Sequence, residues 1–218
     1  FTITPNAGYG IENVTVDGAS VGTPATYTFA ALNADHTLAA TFAQYEYTIT
    51  AIAGNGGNIT PAGVTPMFYN GDQTYTIAAA TGYHIEDVYV DGASVGAVTT
   101  YTFTDVQANH TIAATFAPNE YTITVNQPAN GNINPGTMTV LYGATPTFVI
   151  TPATGYNVAT ITLNGTNVMA NATNVNGTYT YTLPAVAANQ TLTATMTLKT
   201  FTITATAGAN GSIAPAGT

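Results

Sequence analysis

The chain has 218 residues, 45% of them apolar and 5% charged, so it can bury cores but must clothe its surface in Thr, Asn, Gly and Ala. A formal charge of -9, with Lys199 the one basic side chain, removes the positive surface that nucleic acid or an anionic membrane would require. Cysteine is absent and no apolar run approaches the roughly 20 residues of a helical span, which excludes a disulfide frame, thiol catalysis and a membrane helix.

In chain order, Phe1 opens inside a strand-like run with no signal-peptide pattern before it, as expected of a mature, trimmed or excerpted chain. AGYGI follows from Ala7, then VDGASVG at 16–22, TYTF at 26–29 and HTLAATF from His36. The same series returns about 74 residues later: TGYHI from Thr81, VDGASVG at 90–96, TYTF at 100–103 and HTIAATF from His110. A third copy reads TGYNV, LNGTNV and TYTL from Thr154, Leu163 and Thr180. Such a period is the mark of a repeat architecture. It divides the chain into a C-terminal part of a repeat at 1–43, a complete repeat at 44–117, a second complete repeat at 118–197 with an insertion near 170–177, and an N-terminal part of a repeat at 198–218.

Within a unit, Tyr47, Ile49 and Ala51 alternate with Thr48 and Thr50, and Tyr101 and Phe103 alternate with Thr100, Thr102 and Thr104. A period of two predicts strands with the aromatic and aliphatic side chains inward and Thr on the solvated face. Asp17-Gly18, Asp91-Gly92 and Asn164-Gly165 are placed as tight hairpin turns. The Gly-Asn-Pro stretches AGNGGNITPAG, PANGNINPG and AGANGSIAPAG read as a turn and a short edge segment, because Pro cannot donate to a central ladder. The expectation is an all-β chain of about six short strands per repeat, without significant helix.

The ends fit one another. Residues 1–43 match 75–117 and residues 198–218 match 44–64, so tail and head together lack only a counterpart of TPMFYNGDQT, residues 65–74. Two expectations follow: the chain is a window on a longer tandem array, or 198–218 completes 1–43 of a neighbouring subunit and builds a head-to-tail polymer. Phe1, Ile3, Phe201, Ile203 and Ile213 are the apolar residues expected at such a joint. Nine of the ten acids precede residue 118, which leaves 118–197 with Glu120 alone and suits that repeat to subunit contacts without desolvated ions.

The order EYTIT, GNGGNI, PAG, a YNG turn, TGYHI, VYVDGASVG and YTFTDVQANHTIAATF resembles the divergent internalin-type B-repeats found in tandem on bacterial surface and secreted proteins. The resemblance spans nearly the whole chain, and the third copy departs from it at Asn164, Gln190 and the inserted ANATNVNG. It implies compact β-sandwich or β-grasp-like modules that act as stalks, spacers or adhesive units.

Chemical sites are sparse. His36, His84 and His110 lack the short spacing of a zinc site. Glu86, Asp87 and Asp91 are the densest acidic group and the candidates for calcium, although Glu86 and Asp87 would point to opposite faces of a regular strand. Tyr9, Tyr83 and Tyr156 recur after Gly and are the candidates for stacking on sugars, against the plainer reading as core or corner residues. Ser20 and Ser94 sit in no nucleophile elbow. No catalytic residue, metal or cofactor is expected. The sequence therefore predicts a non-enzymatic structural subunit of an extracellular filament or cell-surface fibre, with itself and surface glycans as partners; the alternative is a carbohydrate-binding or spacer region of a secreted enzyme or adhesin.

Overall fold

The computed structural model describes residues 1–215. The chain separates into two compact units, the first Phe1–Pro118 and the second from Asn119 onward.

The first unit opens with β1 (Tyr9–Val16), β2 (Ala19–Gly22) and β3 (Leu38–Gln44). It continues with β4 (Glu46–Ala53), β5 (Gly57–Thr60), β6 (Gly63–Phe68) and β7 (Gly71–Ala79). The repeat closes with β8 (Tyr83–Val90), β9 (Ala93–Gly96), β10 (Thr100–Val106) and β11 (His110–Pro118). The complete repeat is a small sandwich: a five-stranded sheet in the order β6-β4-β11-β8-β9 and a three-stranded sheet in the order β10-β7-β5. Ile49, Val88, Ile112 and Ala114 of the larger sheet share one buried cluster with Ile59, Tyr75, Ile77 and Phe103 of the smaller. The first and last strands of the repeat, β4 and β11, pair in parallel at the centre of the larger sheet. Parallel pairing requires a long crossover, here the remainder of the repeat.

Alternation explains why these runs are strands. Phe103 is buried while Thr102 and Thr104 beside it are exposed. The exposed Thr residues are themselves paired across strands, Thr74 Oγ1 lying 2.8 Å from Thr102 Oγ1. The turns Asp17-Gly18, Asp91-Gly92 and Asn164-Gly165 have both residues at positive φ, for instance Asp91 at 50° and Gly92 at 81°. That backbone matches the right-handed twist of the strands it joins. The complete repeat carries eight strands where the sequence suggests about six. β5 and β9 are the shortest, at four residues each, and β9 is exposed throughout.

Residues 1–43 repeat the back half of this design. β1, β2 and β3 form a three-stranded sheet in the order β2-β1-β3. Phe1–Ile3 runs against Ala25–Tyr27, with Ile3 N–H donating to the Ala25 carbonyl at 2.9 Å and Tyr27 N–H to the Phe1 carbonyl at 2.9 Å. The part-repeat joins the following repeat through Tyr45 N–H, which donates to the Gly8 carbonyl at 2.8 Å. Gly8 also lies against the Tyr69 ring so closely that a Cβ there would come within 2.2 Å of it.

The second unit holds β12 (Glu120–Asn126), β13 (Gly131–Asn134), β14 (Met138–Leu141), β15 (Thr147–Pro152) and β16 (Tyr156–Leu163). It ends with β17 (Thr166–Asn167), β18 (Thr173–Val175), β19 (Thr178–Thr182) and β20 (Gln190–Leu198). The sheets β14-β12-β20-β16-β17 and β13-β15-β19-β18 enclose a core that includes Ile123, Phe148, Ile150, Ile161 and Leu192. The insertion near 170–177 contributes a single 3-10 turn, Met169–Asn171, and the β18–β19 hairpin, which turns on Asn176 and Gly177. Among the described residues, nothing after β20 forms an extended strand.

Candidate functional site

The polar residues that carry chemistry sit at the hairpin corners and are used there. Asp17 Oδ2 lies 2.7 Å from His36 Nδ1, and Asp17 Oδ1 accepts the Thr37 N–H at 2.8 Å. Asp91 repeats the arrangement with His110 Nδ1 at 2.7 Å and Thr111 N–H at 2.7 Å. In the second complete repeat Asn164 keeps the backbone bond, accepting Thr191 N–H at 2.8 Å. These bonds tie the β1–β2 turn to the two residues just before β3 and the β8–β9 turn to the first two residues of β11. His36 Nδ1–H and the Thr37 amide hold the Asp17 carboxyl below its ordinary pKa. At Asp91 partial burial raises the pKa, but the bonds from His110 and Thr111 outweigh it and the net shift is downward. The 19-residue separation within each Asp–His pair hides it in the sequence, where His36 and His110 stand out as equivalent without showing what they touch.

Asp87 is likewise spent within a hairpin. Its Oδ1 accepts the Ser94 hydroxyl at 2.8 Å, the Val88 amide at 2.8 Å and the Gly96 amide at 3.1 Å. The Ser94 bond is the main reason its pKa is lowered. Glu86, next to it, is the extra residue of a bulge, since β11 pairs Thr115 with Asp87 and then Phe116 with Ile85. The alternation that would set Glu86 and Asp87 on opposite faces is thus interrupted at this point. Among the described residues no three His, Asp or Glu side chains converge as a metal site would need.

The repeated tyrosines occupy corners. Tyr83 is 39% exposed and its ring lies flat on Gly56, where a Cβ would come within 2.4 Å of the ring. Tyr156 is partly buried. Tyr9, 40% exposed, instead borders an open cavity of about 340 Å³ together with Thr4, Asn6 and Phe42.

That cavity belongs to a larger opening. Tyr75 and Val106 are enclosed in the complete repeat, at 0% and 1%, whereas their counterparts Phe1 and Leu32 are 75% and 76% exposed. The partners missing from this half-core have counterparts at the other end of the chain. Phe201 and Ile203 are each 84% exposed and Ile213 is 45% exposed, although Ile49 and Ile59, which match the two isoleucines, are buried. Of the five residues expected at a joint, four are open to solvent; Ile3 is buried within its own part-repeat at 8%. Among the described residues, the outer edge of β3, where the complete repeat pairs β11 with β4, carries no strand. Leu32 and Phe42 also belong to this surface, and their phase with Val106 and Phe116 is the sequence signal that could have marked them.

A family model for the divergent InlB B-repeat domain matches residues 47–120 and again 121–200. No curated protein matches the chain.

Proposed function

The chain belongs to the divergent InlB B-repeat family, and from that membership we propose that it is a structural, non-enzymatic subunit of an extracellular or cell-surface fibre, joined head to tail through its split repeats. The observation that carries this reading is the pair of complementary half-cores. Phe1 and Leu32 at one end, and Ile203 at the other, are apolar and exposed where the complete repeats bury the same positions, and Phe201 is exposed where Tyr47 and Tyr121 are partly buried against the core. Apolar surface and an unpaired strand edge left in water favour association. A contact between two different patches of one chain is heterologous, and wherever its rotation does not close a ring it propagates as a fibre. The polar groups support a structural role, because Asp17, Asp87 and Asp91 fasten hairpins.

Negative-stain electron microscopy of the chain beside a version lacking residues 198–218 tests the reading. Filaments are expected from the first and not from the second. Filaments from both, or from neither, would overturn it.

A further inference from the structure

The complete repeats supply a template for the joint. In residues 44–117 the turn Gly56-Gly57 is held beneath two rings: a Cβ on Gly56 would come within 2.4 Å of Tyr83, and one on Gly57 within 2.2 Å of Phe116. Tyr9 and Phe42 are the counterparts of Tyr83 and Phe116, and the cavity they border with Thr4 and Asn6 lies where that turn would sit. The counterparts of Gly56-Gly57 are Asn130-Gly131 in the second complete repeat and Asn210-Gly211 in the tail. Asn130 and Asn210 share the left-handed backbone, at φ 63° and 66°. Gly131 is as crowded as Gly57, with Met196 taking the place of the Phe116 ring, whereas no described residue lies within 4 Å of the Gly211 Cβ position.

We infer that the cavity between Tyr9 and Phe42 accepts the Asn210-Gly211 turn of a second copy of this chain and so fixes a single register for the joint. This inference rests on the head-to-tail reading above. The strand pairing follows from the two internal examples. β11 lies parallel to β4 with His110 opposite Ile49 and Ile112 opposite Ala51, and β20 lies parallel to β12 with Gln190 opposite Ile123. Transferred to the open edge of β3, this sets His36 opposite Ile203, Leu38 opposite Ala205 and Ala39 opposite Thr206. Ile59 faces Ile77 and Ile133 faces Ile150, which sets Ile213 opposite Ile3. Pro5 does not obstruct the pairing, because its counterpart Pro152 already stands opposite Gly131. Asn109 Oδ1 accepts the Thr48 N–H at 2.9 Å and Asn189 Oδ1 the Thr122 N–H at 2.9 Å. Asp35, in the position of Asn109, accepts the Thr202 N–H of the incoming copy in the same way. Glycine at 211 is the specificity-determining residue, since any side chain there meets the Phe42 ring only in the joint.

The absence of native cysteine allows a clean crosslinking test. The outward-facing pair Ala39→Cys with Thr206→Cys brings two Cα atoms to adjacent-strand spacing, within the roughly 4.4–6.8 Å a disulfide accepts. Ala39→Cys with Thr204→Cys reports a register shifted by two residues. Oxidation is expected to give covalent ladders from the first pair and not from the second. Ladders from the second pair alone overturn the register while leaving head-to-tail assembly intact. An unsubstituted chain that forms no filaments overturns the head-to-tail reading itself, and the inference with it. Gly211→Val is expected to abolish filaments at concentrations where the parent polymerises, with an unchanged circular-dichroism melting curve. Filaments from Gly211→Val in parental yield would overturn the role of the cavity.

Discussion

Ile49 and Ile203 occupy the same position of the repeat, yet Ile49 is fully enclosed and Ile203 is 84% exposed. Their substitution should separate folding from assembly. Ile49→Ala removes buried methyl groups from a packed core and is expected to cost about 2–5 kcal/mol in chemical denaturation. Ile203→Ala should leave subunit stability unchanged and weaken polymerisation. Denaturation curves beside filament yields check both outcomes.

Tyr75 presents a buried hydroxyl with no hydrogen-bond partner among the described residues, and its counterpart in the second complete repeat is Phe148. Removing an unsatisfied buried hydroxyl relieves a desolvation cost. Tyr75→Phe is therefore expected to leave stability unchanged or raise it by about 1 kcal/mol, and Phe148→Tyr to lower it by about 1–3 kcal/mol. Urea midpoints of the two variants decide this.

Gly57 and Gly131 fill the same corner against different neighbours. The flat, rigid ring of Phe116 stands 2.2 Å from where a Cβ on Gly57 would lie, whereas the nearest atom to that position on Gly131 is the Met196 methyl at 2.4 Å. Methionine can move aside. Gly57→Ala should cost about 1–3 kcal/mol and Gly131→Ala less, as read from thermal unfolding.

Much of this design is written locally in the chain. The turns at Asp17-Gly18 and Asp91-Gly92 and the alternation along 46–53 and 100–106 depend on neighbouring residues, whereas the two-sheet sandwich is what the family resemblance implies. The remainder depends on contacts distant in sequence. β9 is four exposed residues held by its turn, so no hydrophobic pattern announces it. The bulge at Glu86 arises from how β11 is paired, and the Asp91–His110 contact from two strands meeting, neither of which a linear pattern displays. The cavity beside Tyr9 is hidden for a related reason: the aromatic phase is visible, but whether Tyr9 or Tyr83 has a turn beneath it depends on which half of the repeat is present.

The two Asp–His corners give a pH dependence with a definite sign. Asp17 and Asp91 have folded pKa values below the ordinary 3.8. Their contribution to stability is therefore present above that value and lost as pH falls through the lower folded one. The melting temperature is expected to drop below about pH 4, and Asp17→Asn with Asp91→Asn to shrink that drop. The amide retains the backbone bond, as Asn164 does to Thr191. Melting curves recorded across acid pH test this.

Completion of one subunit by the tail of another is most directly measured by calorimetric titration of a peptide spanning residues 198–218 into the chain shortened after Thr197. Saturable binding of one peptide per chain, weakened when the peptide carries Ile203→Ala, is the predicted result. No heat of binding with both components soluble, or binding indifferent to Ile203→Ala, would contradict the split-repeat joint.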